Sequence, residues 1–481
     1  MSKLLFTDNE WTFDRINSVF DAVERIAEDD LQLDTYPNQL EIISAEQMLD
    51  AYSSVGLPLS YAHWSFGKQR AIESGQYQRG EMGLAYEIVV NSNPCISYLM
   101  EENTMMMQTL VIAHAAFGHN AFFKNNELFK QWTDAAGIID YLAFAKKYIA
   151  DCEVKYGYNE VAEVLDIAHS LRYNSIDRAR RPNKLSLAED EKRSNERHAY
   201  LQSQLNILWN TIPDSTPESV MIQQDKFPAE PQDNLLYFIE KHAPNLPVWQ
   251  REILRIVRKV GQYLYPQSQT KIMNEGFACF THYYIMNRLY DKGFISEGTL
   301  LEFLASHTAV TMQPEFNKPY YSGFNPYALG FSIFMDIKRI CQNPTNEDKN
   351  LFPFAGDPDW LKHIHFAMRE FKDASFIQQY LSPHIVRKFH LFSLYNRQSE
   401  SDNYVVSNIH DDTGFRHIRE LLAQQVADST TAPDVQITHV DLWGDRTLTL
   451  ELVSDRILHS KDAVKVVSGI EKLWGFPVRW G

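Results

Sequence analysis

Apolar residues return at helical spacing through most of the first 390 residues, and no other feature restricts the fold as much. The pattern opens with Trp11, Phe13, Ile16, Phe20, Val23 and Ile26, and its opposite face is acidic. It predicts a mainly α protein built on a large multi-helix domain. Tyr36-Pro37-Asn38 reads as a loop, a helix is expected over about 44–52, and Gly56-Leu57-Pro58 marks another break. The run Tyr86-Glu87-Ile88-Val89-Val90-Asn91 is apolar, β-branched and closed by Asn-Ser-Asn-Pro, which predicts a short strand and hence minor β structure inside the helical body.

From about 181 to 247 the chain turns to charge, Gln and Pro, so an extended arm is expected between two helical blocks. The last 90 residues change character again. Strands are predicted at 405–407, 435–442, 447–453 and 477–480, with helices at 413–425 and 460–474. That βαββαβ order is shared by ferredoxin-like and ACT-like domains, so a small α+β domain is expected at the C-terminus. The resulting division is 1–182 for a helical block with the site helices, 183–247 for the arm, 248–392 for a second block completing the same core, and 393–481 for the tail.

Charge narrows the partners. Lys and Arg number 46 against 62 Asp and Glu, giving −16, which argues against nucleic acid or an anionic membrane. The apolar run 105–117 holds Gln108 and His114 and is too short to span a bilayer. The opening residues Met-Ser-Lys-Leu-Leu-Phe-Thr-Asp-Asn-Glu carry no long apolar stretch, so no secretory signal is expected and a cytoplasmic location is. Cys95, Cys152, Cys279 and Cys341 are widely separated, which suits a reducing compartment and excludes a Cys-rich zinc ribbon. Neither a P-loop, nor a Gly-rich dinucleotide turn, nor a G-x-S-x-G elbow is present, so a nucleotide cofactor and serine-hydrolase chemistry lack support.

Three segments carry histidine beside acid on apolar helices. His114 and His119 bracket Ala-Ala-Phe-Gly. At about 100° per residue, five positions put them roughly 140° apart on an α-helix, so they share a ligand only if the helix bulges or ends, for which Gly118 is suited. Two buried core histidines and two metal ligands are both open readings. Glu275, Cys279 and His282 occupy i, i+4 and i+7, one helix face, and are costly to bury unless paired or metal-bound. Asp166 and His169 have the i, i+3 spacing of di-metal carboxylate bundles, or form a surface hydrogen bond. Together these groups suit zinc, iron or manganese. His63 and His307 are spare candidates, with core or cap roles preferred. Asp177-Arg178-Ala179-Arg180-Arg181-Pro182 is either a solvated charged face or a grip for an anionic substrate group.

At these segments the chain resembles the SpoVR (stage V sporulation protein R) family, including its non-sporulation enterobacterial members. The resemblance runs essentially end to end. It is carried by Tyr36-Pro37-Asn38-Gln39-Leu40-Glu41, Tyr61-Ala62-His63-Trp64-Ser65-Phe66-Gly67-Lys68, residues 86–100 with Asn91-Ser92-Asn93-Pro94-Cys95, and residues 114–126, 234–247, 274–282 and 321–330 with Phe371-Lys372-Asp373. It implies a cytoplasmic bacterial protein tied to spore cortex formation, or to stress and stationary-phase physiology elsewhere. A serine protein kinase and a co-encoded partner protein are the implied associates. The resemblance brings no settled reaction.

The leading expectation is a metal-dependent hydrolase acting on an unidentified small molecule or peptide. Its ligands are His114, His119, Glu275 and His282, with Glu275, Asp166 and His169 as catalytic or second-metal groups. A di-metal oxidase is a variant. The competing expectation is a non-catalytic regulator or scaffold that works with the kinase and its partner.

Overall fold

Thr12 starts the first long helix by accepting the Arg15 N–H on its side chain. The helix Phe13–Asp29 then buries Ile16, Val19, Ala22, Val23, Ile26 and Ala27 along one face, the spacing read from the sequence. Phe13 departs from it: as the first helical residue it falls outside the buried stripe and is 68% exposed. The computed structural model describes residues 4–53, 61, 63, 87–178, 227, 228, 230–314, 323–391, 393–395, 405–408, 412–429, 433–453 and 460–481. The protein is mainly helical, and the chain forms two compact units, Met1–Ala162 with Gln262–Thr431, and Glu163–Gly261 with Ala432–Gly481.

In the first unit the helices Met105–Val111, Lys271–Asp291, Glu297–Val310, Pro326–Gln342, Trp360–Glu370 and Asp373–Tyr380 close one core with Phe13–Asp29. Phe117, Phe122, Phe277, Phe280, Phe303, Phe334 and Phe376 are fully buried there, each worth about 1.5–3 kcal/mol of removal from water. Lys271–Asp291 is the central helix. Gly276 meets Gly330 of Pro326–Gln342 backbone to backbone: a Cβ on Gly330 would lie 2.0 Å from the Ile272 oxygen, and one on Gly276 2.3 Å from the Gly330 carbonyl carbon. The N-terminus of the central helix is capped from far along the chain, with Asp373 accepting the N–H groups of Ile272 at 2.8 Å and Met273 at 2.9 Å.

The predicted strand near residue 87 exists, and it has partners. Strands β1 (Asn38–Ile43), β2 (Glu87–Val90) and β3 (Cys95–Met100) form a sheet in the order β1-β3-β2. β1 runs parallel to β3 from Asn38 opposite Cys95, and β2 runs antiparallel with Glu87 opposite Leu99. This register brings the start of β2 to the helical core.

The C-terminal elements follow the predicted order, with a different pairing for the first of them. β4 (Ser393–Tyr395) pairs with β5 (Val405–Asn408), and the helix Asp412–Ser429 sinks Phe415, Ile418, Leu422, Ala423 and Val426 into the core of the first unit. Those two elements are thereby taken from the βαββαβ module. What remains in the second unit is a sheet of β6 (Val435–Val440), β7 (Leu448–Leu452) and β8 (Val478–Trp480) in the order β6-β7-β8. β7 and β8 are parallel and are joined by the helix Ser460–Trp474, the crossover that parallel pairing requires. This is a small α+β domain.

Of the stretch read as an arm, residues 183–226 and 229 lie outside the described residues. The rest is not all extended. Asn234 caps a helix, Leu235–His242, whose Phe238 stacks on Trp474, while Gln232 exchanges backbone hydrogen bonds with Ile437. Among the described residues, no helix is long and apolar enough to cross a membrane.

Candidate metal centre

The five-residue spacing of His114 and His119 is answered by a change of helix type. Met105–Val111 is α-helical, but Ile112–His119 is a π-helix, and the Asn120 N–H reaches back to the Ala115 oxygen. Hydrogen bonds to the fifth residue return positions five apart to one face. The two imidazoles sit edge to face with centroids 4.6 Å apart, both buried. The helix does not end at Gly118; it continues as Asn120–Asn125. Gly118 serves contact instead, since a Cβ there would lie 2.7 Å from the Ala278 Cα of the central helix.

Two carboxylates face this pair. Glu87, on β2, places Oε1 3.2 Å from His114 Nε2 and 3.8 Å from His119 Nε2. Glu275, on the central helix, places Oε2 3.5 Å from His119 Nε2 and 3.9 Å from His114 Nε2. Both histidines thus turn Nε2 toward the carboxylates. Their Nδ1 atoms are engaged behind them: His119 Nδ1 with Asn274 Oδ1 at 2.9 Å, and His114 Nδ1 with His282 Nδ1 at 2.8 Å. The second oxygen of Glu87 is buried without a hydrogen-bond partner. Such an orphan acceptor is costly unless a cation or donor meets it.

The electrostatics are those of four groups competing for charge in a largely buried site. Burial pushes the Glu87 carboxyl up to about 7; the Glu275 charge adds to this and His114 opposes it. Burial also acts to raise Glu275, but His119 and His114 outweigh it and leave its carboxyl below the ordinary value. His119 is driven down to about 4 by burial. Burial would lower His114 too, yet Glu87 and Glu275 more than reverse that, and it is raised. A divalent cation at the meeting point would neutralise both carboxylates at once.

Glu87, His114 and His119 each offer one ligand atom within 4.8 Å of the others. Two histidines and one carboxylate form a catalytic zinc set, or the facial set of non-haem iron, with positions left open. His114, Cys279 and His282 make a second group by the same measure. It is less suited to a cation: burial pushes the Cys279 thiol well above its usual range, and the two histidines already spend Nδ1 on each other. His282, expected among the ligands, therefore stands behind His114 rather than beside the carboxylates, and its Nε2 contacts His307 Nδ1 at 2.8 Å.

The other sequence candidates fall elsewhere. Asp166 and His169 lie on Tyr158–Leu171, in the part assigned to the second unit, and belong to neither group. That helix buries Val161, Val164, Leu165 and Ala168, which leaves Asp166 exposed on the opposite side. Asp177 accepts from Asn234 at 2.9 Å and Arg178 faces Asp434 at 3.5 Å, so these two members of the basic cluster are engaged within the second unit; 179–182 lie outside the described residues. His63 is half-buried and His307 buried.

Sequence reasoning missed Glu87 and Asn274. Glu87 is the one acid in a β-branched strand, and only the pairing of β2 with β3 reveals what it faces. Asn274 had a visible signal, a polar residue one position before Glu275 in an apolar helix.

Comparison with known proteins places the chain. Residues 10–431 match the family model described as SpoVR like protein, and residues 433–480 match the SpoVR-like C-terminal domain. The chain belongs to the SpoVR family. It is 54% identical over 471 residues to a protein of Escherichia coli (strain K12) described as "Uncharacterized protein YcgB", covering 98% of this chain and 92% of that one. The two matches meet at the chain position where the C-terminal part of the second unit begins. No solved structure matches.

Proposed function

We propose that this SpoVR-family protein is a metal-dependent hydrolase, with Glu87, His114 and His119 as ligands and Glu275 as the adjacent base. The observation that supports it is the convergence of two imidazole Nε2 atoms and two carboxylate oxygens at 3.2–3.9 Å inside a buried core, with one Glu87 oxygen left unpartnered. A zinc, iron or manganese ion held there would supply Lewis-acid activation of water and of the scissile group. The protein's own contribution is positional. The π turn aims both Nε2 atoms at one point, Asn274 and His282 hold the rings from behind, and Glu275, kept ionised by its histidine neighbours, takes a proton from the attacking water.

The spore-cortex or stress role implied by the family, its cytoplasmic setting, and association with a serine protein kinase and a co-encoded partner belong to this proposal as its cellular context. The test is elemental analysis of full-length protein purified without a histidine tag, wild type beside His114→Ala/His119→Ala. Stoichiometric metal in the wild type, lost in a variant that still unfolds cooperatively, is the expected result. Metal-free wild type, with the histidines serving only the core, would return the chain to the regulator reading.

A further inference from the structure

The central helix and Glu297–Val310 put a third histidine in line with the first two. His114 Nδ1 meets His282 Nδ1 at 2.8 Å, and His282 Nε2 meets His307 Nδ1 at 2.8 Å. All three rings are buried, and His307 is packed against Phe303, Phe331 and Tyr283 with centroids 5.8, 4.7 and 5.0 Å away. Three imidazoles in such surroundings require a reason, because a buried polar ring nitrogen is costly unless it has a hydrogen-bond partner.

A neutral imidazole carries one N–H, so each contact has one donor and one acceptor. Two neutral arrangements satisfy the chain. In one, His307 Nδ1–H donates to His282 Nε2, His282 Nδ1–H donates to His114 Nδ1, and His114 Nε2–H points at Glu87. In the other, every proton sits on the opposite nitrogen: His114 Nδ1–H donates to His282, His282 Nε2–H donates to His307, and His114 Nε2 presents a bare lone pair to Glu87 and Glu275. Only the second leaves His114 able to bind a cation, since a metal needs the unprotonated nitrogen.

We propose that His282 and His307 are positioning residues that act on the metal centre through His114, their aligned acceptors drawing its proton to Nδ1 and so fixing Nε2 as the ligand atom. The proposal rests on the metal reading above. Occupancy of the centre and the tautomers of two histidines outside it are then one coupled state, carried across two hydrogen bonds into the helix Glu297–Val310. His119 has a simpler arrangement, with Asn274 Oδ1 as its acceptor.

The experiment titrates zinc into full-length apoprotein and compares wild type with His282→Phe, His282→Gln and His307→Phe. His307→Phe places an apolar ring among Phe303, Tyr283 and Phe331 and so keeps the fold as the far-end probe. Loss of roughly 10–100-fold in zinc affinity is expected for His282→Phe, and a smaller but clear loss for His307→Phe. Recovery is expected in His282→Gln, whose amide both accepts and donates. In ¹⁵N-histidine spectra the zinc-loaded wild type should show His114 and His282 as opposite tautomers, Nδ1–H and Nε2–H. Unchanged affinity in both phenylalanine variants, or a His282 carrying Nδ1–H in the zinc form, overturns the proposal while leaving the metal reading intact. A wild type that binds no zinc overturns both.

Discussion

Glu87 and His114 meet at 3.2 Å, Oε1 to Nε2, although one comes from a sheet strand and the other from a π turn with no local sequence link between them. Glu275 approaches the same histidine from a third element at 3.9 Å. The two acids are therefore separable by experiment. Glu87→Gln should cut metal occupancy to below about a tenth under dialysis, as loss of a ligand does, whereas Glu275→Gln should retain metal and lose turnover by about 10²–10⁴. Equal metal loss in both would make Glu275 a ligand.

Asn274 accepts from His119 Nδ1 and lies in the core. Asn274→Leu should weaken zinc binding about tenfold by freeing the His119 ring, while His119→Ala weakens it further. Calorimetric titration of both variants, each first shown to be folded by circular dichroism, checks the order.

Close helix packing leaves no room for a Cβ at Gly118, Gly276 or Gly330. Gly330→Ala should destabilise the protein by more than about 1–3 kcal/mol, because the new Cβ would fall 2.0 Å from the Ile272 oxygen. Gly118→Ala, at 2.7 Å from Ala278 Cα, should do the same and also lower metal affinity by pushing the π segment off the central helix. Urea unfolding and zinc titration separate the two effects.

Acid stability has a named contributor. Asp348 is buried, which pushes its carboxyl up, but hydrogen bonds from Arg339 and from the Thr345 N–H and hydroxyl outweigh burial and hold it at about 2 against an ordinary 3.8. A folded-state value below the unfolded one stabilises the protein above pH 4, and that stabilisation is lost as pH falls from about 4 through 2. The amount is on the order of 2 kcal/mol. Asp348→Asn should be less stable at neutral pH and show a flatter decline between pH 4 and 2 in thermal melts.

The helical body was legible because burial along Phe13–Asp29 follows apolar spacing, whereas the central helix is buried on nearly every side from Ile272 to His282 and shows no such stripe. Ser460–Trp474 begins and ends where its pattern does. The candidate site was half legible. His114, His119 and Glu275 could be named because a histidine or an acid in an apolar helix is conspicuous; Glu87 could not, because strand pairing is a long-range fact. His282 lies on the same helix face as Glu275, and its spacing cannot show that in the fold both its nitrogens are engaged with histidines. The fate of β5 and Asp412–Ser429 was hidden likewise: an amphipathic helix states that it has a buried face, not which core receives it.

The π segment also bears on how such centres are recognised. One turn that closes at the fifth residue is an α-helical turn with a single residue added, so His-Ala-Ala-Phe-Gly-His presents its rings much as a four-residue spacing does on an ordinary helix. A motif search tuned to the ordinary interval passes over this pair. Anyone transplanting the pair onto a regular helical scaffold would have to delete one intervening residue to keep the two nitrogens aimed at the same point.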